Sequence, residues 1–381
     1  APFAAVLLLG ATLCAAESPA LQVAVTQKGL DYVTQVGVPM VEKEVDSMSI
    51  PDVSTEQDSF QINLDTIKCG STQIGDAQLK IDTTAGVTAG SLSLGGVGIS
   101  CTANWHYHEV HWPHWPNGDG DVQVSISGSS ASIDVGLNAV GGRPRVNTRS
   151  CSTSVHISHL HFHGGLSGDI LNLLTGLLKG HIETEVDKAI CSAVSTLINT
   201  KANQVLSTFN MNVPLPLPAP FDISMVDLSL LSDPTGQGFL GAELHGEVYA
   251  TNNKTEAPYP APVLPSLTPS VDTYMVEMAV APFLLESAAF VYTQAGLLQY
   301  ELHAEDIPPT VPFQLSTATF EDWAPAMYKQ YPDTPMALHL AVTGNPTMNV
   351  EPENATLVVP MEFQFQVEAK SGLVQAFGIS C

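Results

Sequence analysis

Basic residues are scarce in this chain. Lys and Arg together number 13 against 38 Asp and Glu, a formal charge of −25 at pH 7 over 381 residues. A surface so negative repels phosphate backbones, which argues against nucleic acid as a partner and, at neutral pH, against anionic surfaces. Long apolar runs are missing too. Beyond the first sixteen residues none reaches the roughly eighteen that a membrane-spanning helix needs. The short motifs that announce catalysis are likewise absent: there is no G-x-S-x-G elbow, no H-E-x-x-H, no glycine-rich phosphate loop and no Cys-x-x-Cys pair. Neither an enzyme nor a cofactor is expected.

What is present points outside the cell. Phe3-Ala-Ala-Val-Leu-Leu-Leu9 followed by Leu13-Cys-Ala-Ala16 reads as a secretory signal over residues 1–16, lacking its initiator Met and basic start, with the mature chain beginning near Glu17 or Ser18. Two glycosylation sequons, at Asn253 and Asn354, fit a secreted protein. Apart from Cys14, the cysteines are Cys69, Cys101, Cys151, Cys191 and Cys381, an odd number. Cys69 and Cys101 lie on or beside alternating strands and are candidates to pair across a sheet. A Cys151–Cys191 bond would staple a strand to a helix, but four cysteines allow three pairings and spacing alone does not choose. The chain ends on Cys381 inside an apparent strand, so it is read as cut at both ends.

With 44% hydrophobic residues, the chain has enough apolar material for two or more cored domains. Leu21–Val25 alternates as a strand. Thr26 then caps a helix with apolar positions Leu30, Val33, Met40, Val41 and Val45, kinked at Gly37 and Pro39 and ending before Ile50-Pro51. From Phe60 to Val140 the text is strand after alternating strand, an antiparallel meander with one wet face. An alternating strand, Ser154 to His163, precedes a Gly-Gly break. A long helix follows, its apolar positions including Leu166, Ile170, Leu173, Leu174, Leu177, Ile182, Val186 and Ile190, and its stripe continues to Phe209. A helix of that length is expected to curve or break, with Gly176 and Gly180 as weak points. Residues 210–249 return to strands, and 250–271 form a proline-rich linker. The pattern then restarts with a strand at Tyr274–Val280 and a helix from Pro282. Strands follow at Phe313–Phe320, Met336–Val342, Ala355–Pro360 and Glu362–Ala369. Thr34-Gln-Val-Gly37 and Thr293-Gln-Ala-Gly296 sit on the first helix of each half, the mark of a duplicated domain.

Several of these segments, in order, resemble one family. They are Val23-Ala-Val-Thr-Gln-Lys-Gly-Leu-Asp-Tyr32, Ile50-Pro-Asp52, the 40-residue separation of Cys151 from Cys191, His161-Phe-His163, the linker, and Phe290-Val-Tyr-Thr-Gln-Ala-Gly-Leu-Leu298. The chain from about residue 20 to 381 is similar to the bactericidal/permeability-increasing protein and lipopolysaccharide-binding protein family. The resemblance implies an α+β fold: an elongated two-barrel boomerang joined by a central sheet, each half a strongly twisted antiparallel sheet wrapped round a long and a short helix. The N-terminal lipid-binding barrel would span 17–209 and an incomplete C-terminal barrel 272–381. It also implies a Cys151–Cys191 disulfide and apolar pockets for the acyl chains of lipopolysaccharide or phospholipid, in a monomer working in innate immunity. Leu30, Val33, Met40, Val41, Leu173, Leu177, Ile182 and Val186 are the pocket candidates, although helix packing alone generates the same stripes.

The sequence departs from the family's antibacterial members at the tip of the first barrel, where they carry Lys and Arg. Here the matching stretch, Asn104 to Pro116, holds neither. Residues 18–209 carry 10 basic and 18 acidic side chains, which puts phosphate recognition in doubt. Trp105, His106, His108, His111, Trp112, His114 and Trp115 replace them, a set suited to the lipid interface and able to gain charge as pH falls. Membrane contact by this loop is the first reading and an ordinary exposed hairpin the second. Metal binding together with His159, His161 and His163 is the third, against a bland reading of those three as a solvent-facing strand edge. A general lipid carrier without bactericidal action and a histidine-rich metal-binding protein are the alternatives for the whole chain.

Overall fold

A computed structural model describes residues 18–48, 50–57, 59–84, 87–111, 117–164, 168–260, 262–270 and 273–381. The expected signal segment, 1–16, lies outside them. The N-terminal half opens with β1 (Leu21–Thr26) and α1 (Gln27–Asp46). There follow β2 (Val53–Gln57), β3 (Phe60–Gln73), β4 (Asp76–Thr84), β5 (Val87–Glu109), β6 (Asn117–Val140), β7 (Arg143–Ser154) and β8 (Ile157–Gly164), then α2 (Gly168–Thr196). A π-type segment, Leu197–Ala202, joins α2 to α3 (Asn203–Thr208).

Strands β2 to β8 make one antiparallel sheet, organised on the two longest. β5 pairs β4 along its first half and β3 along its second, while β6 pairs β8 along its first half and β7 along its second. Register shifts between Leu94 and Ile99, beside Gly96 and Gly128 with φ of +62° and +68°, bend both strands at mid-length and curl the sheet. Its alternation is strict: Cys101, Ala103, Trp105 and Tyr107 of β5 are buried, as are Val122, Val124 and Ile126 of β6. That inner face is too apolar to stay wet. α1 and α2 cover it.

Thr26 caps α1, its hydroxyl accepting from Gly29 N–H at 3.4 Å, and the helix runs unbroken through Gly37 and Pro39. α2 runs through Gly176 and Gly180 as well; the long helical stretch is interrupted later, at the π-type turn. Cys151 and Cys191 are bonded, tying β7 to α2, and Cys69 and Cys101, directly opposite in register, are bonded across β3 and β5. Cys381 is an exposed free thiol.

The second half continues through β9 (Asn212–Pro214), β10 (Ser224–Asp227), β11 (Phe239–Leu244), β12 (Glu247–Ala250), β13 (Val276–Val280), α4 (Phe283–Gln294) and β14 (Gln299–His303). α5 (Pro325–Gln330), β15 (Met336–Val342), β16 (Thr347–Glu351), β17 (Asn354–Val358), β18 (Met361–Ala369) and β19 (Gly372–Ser380) complete it. β1 lies between β11 and β13, with Leu21 opposite Val280 and Val25 opposite Val276. Thus β1 leading into α1 and β13 leading into α4 meet antiparallel in one sheet. β10 sits between β9 and β12. Asp227 there is buried, which opposes its charge, but bonds from Ser229 N–H, Ser229 Oγ and Lys254 prevail and hold its carboxyl below the usual range. Ser287 Oγ of α4 accepts from Val248 N–H, and Tyr292 pairs with Ser224, so α4 is pinned to this sheet.

The four-stranded sheet β14-β15-β18-β19 covers a small core of Leu315, Met336 and Val367. The strand expected at Phe313–Phe320 is instead an extended lead into a 3-10 turn, Thr317–Phe320. That turn drops Phe320 against Phe365 and Phe377, at centroid distances of 5.2 and 5.3 Å, a contact an extended run would not make.

The Cys151–Cys191 bond closes a loop of 40 residues between sheet and helix. Replacing both cysteines by Ser is expected to cost about 4 kcal/mol of unfolding free energy on loop entropy. Urea denaturation with and without the bond measures it.

Candidate functional site

The helices meet the sheet in one continuous apolar layer. α1 contributes Val41 and Val45, α2 contributes Ile182, Val186, Ile190 and Val194, and the inner faces of β3, β5 and β6 supply the floor. Among the described residues, two crevices lie in it. The first is lined by Ile50, Val53, Leu64, Ile67, Cys101, Ala103, Val124, Ile182 and Val186, with Glu185 as its one ionisable group. The second lies among Val41, Val45, Ile74, Leu94, Val97, Ala131 and Ile190, with Thr72, Ser129 and Ser130. Each has a free volume of about 10 Å³, room for one water molecule. Among the described residues the helices lie closed on the sheet.

Of the pocket candidates, Val41, Ile182 and Val186 belong to this layer and are buried; Leu30 is buried as well, nearer the start of α1 and outside that cluster. Val33 and Met40 do not: they are 54% and 58% exposed. At about 100° per residue they trail the inward arc by roughly 60–80°, and the inward place between Leu30 and Val41 is taken by Thr34. Its hydroxyl is satisfied locally, donating to Leu30 O at 2.7 Å. Val33, Met40, Tyr32 and Val36 instead form an outward apolar stripe on α1. The side chains of Leu173 and Leu177 lie outside what is described. The floor of the layer, Leu64, Leu94, Val97, Ala103 and Val124, was not among the candidates; the strict alternation of β3, β5 and β6 is the signal that finds it.

Polar anchors hold α1 at both ends, Gln27 Nε2 donating to Leu79 O of β4 at 3.0 Å at its start, and hold the stretch from α2 to α3 at its later end. Asp46 and Glu42 of α1 accept from Thr72 N–H (2.9 Å) and Ile74 N–H (3.0 Å) of β3 and its exit. Asn199 accepts from Thr148 N–H at 2.8 Å, and Asn203 bonds both N–H and C=O of Val146 on β7. Lys201 pairs with Glu44, joining the two helical segments. At its other end α2 presents Leu171, Asn172, Lys179 and His181 to solvent, and no side-chain hydrogen bond from residues 168–181 to the sheet is found among the described residues.

The Trp/His stretch divides. Trp105 is not at a tip: it is 1% exposed, in phase with Ala103 and Tyr107 on the inner face of β5. Its indole N–H donates to Asp121 O at 3.0 Å, and its ring stacks on Tyr107 at 5.9 Å. Gly120 and Gly164 make room, since a Cβ at either would lie within 3 Å of the ring. His106 and His108 face outward from the same strand, His106 Nδ1 standing 3.3 Å from Asp65, and His111 is exposed just beyond it. Trp112, His114 and Trp115 lie outside the described residues. His159, His161 and His163 point outward from β8, the last two with ring centroids 4.6 Å apart. Among the described residues no group of three His, Cys, Asp or Glu is arranged to hold a metal ion. Asn253 and Asn354 are both exposed at turns.

A curled antiparallel sheet with two amphipathic helices laid along its apolar trough, joined through a shared central sheet to a second sheet-and-helix half, defines a class of α+β proteins. The sequence matches the N-terminal domain of the LBP / BPI / CETP family over residues 29–209 and its C-terminal domain over 214–380, and the chain belongs to that family. It is 28% identical over 344 residues to the bactericidal permeability-increasing protein of Sebastes schlegelii, covering 89% of this chain and 70% of that one. The human phospholipid transfer protein is 24% identical over 352 residues, covering 90% and 67%. A crystal structure of lipopolysaccharide binding protein shares the fold, with a TM-score of 0.63 over 95% of this chain and 78% of that one, at 21% identity. No helix among the described residues is long and apolar enough to cross a membrane.

Burial of Trp105 makes a direct prediction. Trp105→Ala is expected to destabilise the fold by about 3–5 kcal/mol in urea denaturation, whereas exposed His111→Ala is expected to stay within about 0.5 kcal/mol of the parent.

Proposed function

We propose that this chain is a secreted lipid-binding protein that takes acyl chains between α1, α2 and the sheet. It would serve innate immunity by capturing lipopolysaccharide or phospholipid, in a binding rather than a catalytic role. The observation that carries the reading is the apolar layer itself. Its two crevices are bounded almost wholly by hydrocarbon, and the single ionisable side chain at either, Glu185, is held at the rim by Lys188 at 2.7 Å. Family membership supports it, with relatives named for lipopolysaccharide binding and phospholipid transfer.

A free volume of about 10 Å³ does not hold an acyl chain, so binding requires the layer to part. The bonds that hold the later part of α2 to the sheet support one place for it. α2 is fastened near Cys191, Asn199 and Asn203, and we infer that its first half, 168–181, is the part that moves. Burying ten methylenes at about 0.8 kcal/mol each offers roughly 8 kcal/mol toward that opening.

The acidic surface favours a second reading, a general lipid carrier without bactericidal action. Residues 18–209 sum to a formal −8 from 10 basic and 18 acidic side chains, a poor match to the phosphates of lipopolysaccharide. One experiment addresses both. Purified protein is incubated with phosphatidylcholine or lipopolysaccharide, repurified, and its bound lipid measured by mass spectrometry after extraction. Stoichiometric lipid that survives about 0.5 M salt is expected, because acyl burial is not screened. Preference for lipopolysaccharide selects immune capture, equal uptake selects carriage, and absence of bound lipid contradicts both.

A further inference from the structure

The outer face of the first sheet, opposite the apolar layer, carries a feature the lipid reading does not use. The register of β5, β6 and β8 sets His106 opposite Asp119, Asn104 opposite Asp121, and Asp121 opposite His163, with His161 and His159 following along β8 beside Gln123 and Ser125. His108 lies opposite Asn117. All five histidines are half-exposed or exposed and on one side, because their neighbours Trp105, Tyr107, Val122 and Val124 are on the other.

We infer that this outer face, formed by β5, β6 and β8, is a landing surface for anionic phospholipid bilayers that operates only in acid. On the halves of those strands that carry the histidines, the outward ionisable groups are five His against Asp119 and Asp121, a formal −2 with the imidazoles neutral and +3 with all of them protonated; Glu109 of β5 is in phase with the inner side, and Asp134 lies beyond the mid-length bend of β6. The neighbouring strands add Asp65 and Lys68 from β3, Glu56 from β2, and Asp52 just before β2, whose carboxylate accepts from Thr66 N–H. With these included the face goes from −4 to +1, the positive charge concentrated toward β8, away from the carboxylates of β2 and β3. Histidine is the side chain whose charge changes between about pH 5 and pH 8. The face therefore changes sign where a face built on Lys and Arg would not. No large apolar side chain projects from it among these strands, so contact is electrostatic. Five strands at about 4.8 Å spacing give a plate some 20 Å across, broad enough to meet several headgroups at once. Such a plate brings the protein to a lipid surface in acid, beside the barrel whose interior we propose to hold acyl chains; it rests on that proposal only for the choice of lipid as partner.

The test is co-flotation of the full chain with vesicles of phosphatidylcholine alone or with about one-third phosphatidylglycerol, at about pH 7.4 and pH 5.5, in EDTA, at about 50 mM and 500 mM salt. The expected result is a rise of at least tenfold in the bound fraction as pH falls, only on anionic vesicles and only at low salt. The His159→Gln/His161→Gln/His163→Gln protein is expected to lose most of that rise, and the corresponding triple Lys protein to bind at both pH values. A flat pH profile overturns the inference, as does a rise on neutral vesicles, a rise resistant to high salt, or an unchanged rise in the Gln protein. The Lys protein keeps the test decisive if the Gln protein folds poorly. Bound lipid recovered by extraction is scored separately, so loss of landing and loss of acyl-chain uptake are distinguishable.

Discussion

The apolar inner face of β5 and β6 is the constraint on which the N-terminal half depends. Two strands of 23 and 24 residues, alternating on either side of their mid-length bend, present more hydrocarbon than an isolated sheet can leave wet. The helices, the disulfides and the capping residues all answer to it. α1 and α2 turn their buried arcs to that face, Cys151–Cys191 and Cys69–Cys101 hold its strands and one helix in place, and Asn199 and Asn203 close the backbone of the β7 edge. The same alternation puts every second residue of those strands in water, and this is why histidines gather on the outer face.

The two halves share a central element but not a core of equal size. In the first, two dozen buried side chains span sheet and helices. In the second, the cluster under the four-stranded sheet is Leu315, Met336 and Val367, with Phe320 edge-on to the stacked rings of Phe365 and Phe377, while Val248, Tyr249 and Val291 are buried separately where α4 meets β12. Between them β1 and β13 lie side by side, each leading into a helix, so the weak Thr-Gln-x-Gly echo between residues 34–37 and 293–296 corresponds to a spatial relation of the two β-α units.

Much of this was legible in the sequence because it is periodic. The cap at Thr26, the meander from Phe60 to Val140 and the long helix ending near Phe209 follow from spacing alone. What was not legible is phase. Counting apolar residues assigns Val33 and Met40 to the buried side of α1, but the helix turns Thr34 inward, from a start held by the Thr26 hydroxyl, which bonds the Met275 carbonyl 249 residues away at the entry to β13. Trp105 was misplaced for the related reason that a cluster of Trp and His looks like a loop, whereas β5 runs through it to Glu109 and buries every second member. At Phe313–Phe320 aromatic packing overrode an alternating pattern. Whether the apolar layer opens was never in the sequence, because a packed core and a closed lipid chamber have the same stripe.

That last distinction carries the account, and hydrogen exchange addresses it directly. Amide exchange is followed by mass spectrometry with and without saturating phosphatidylcholine. If the layer admits acyl chains by release of the first half of α2, lipid changes exchange in 168–181 and in the floor strands around Ala103 and Val124, while 191–203 is unaffected. Identical exchange in 168–181 and the floor strands, with lipid demonstrably bound, would contradict the account and move the lipid elsewhere on the protein.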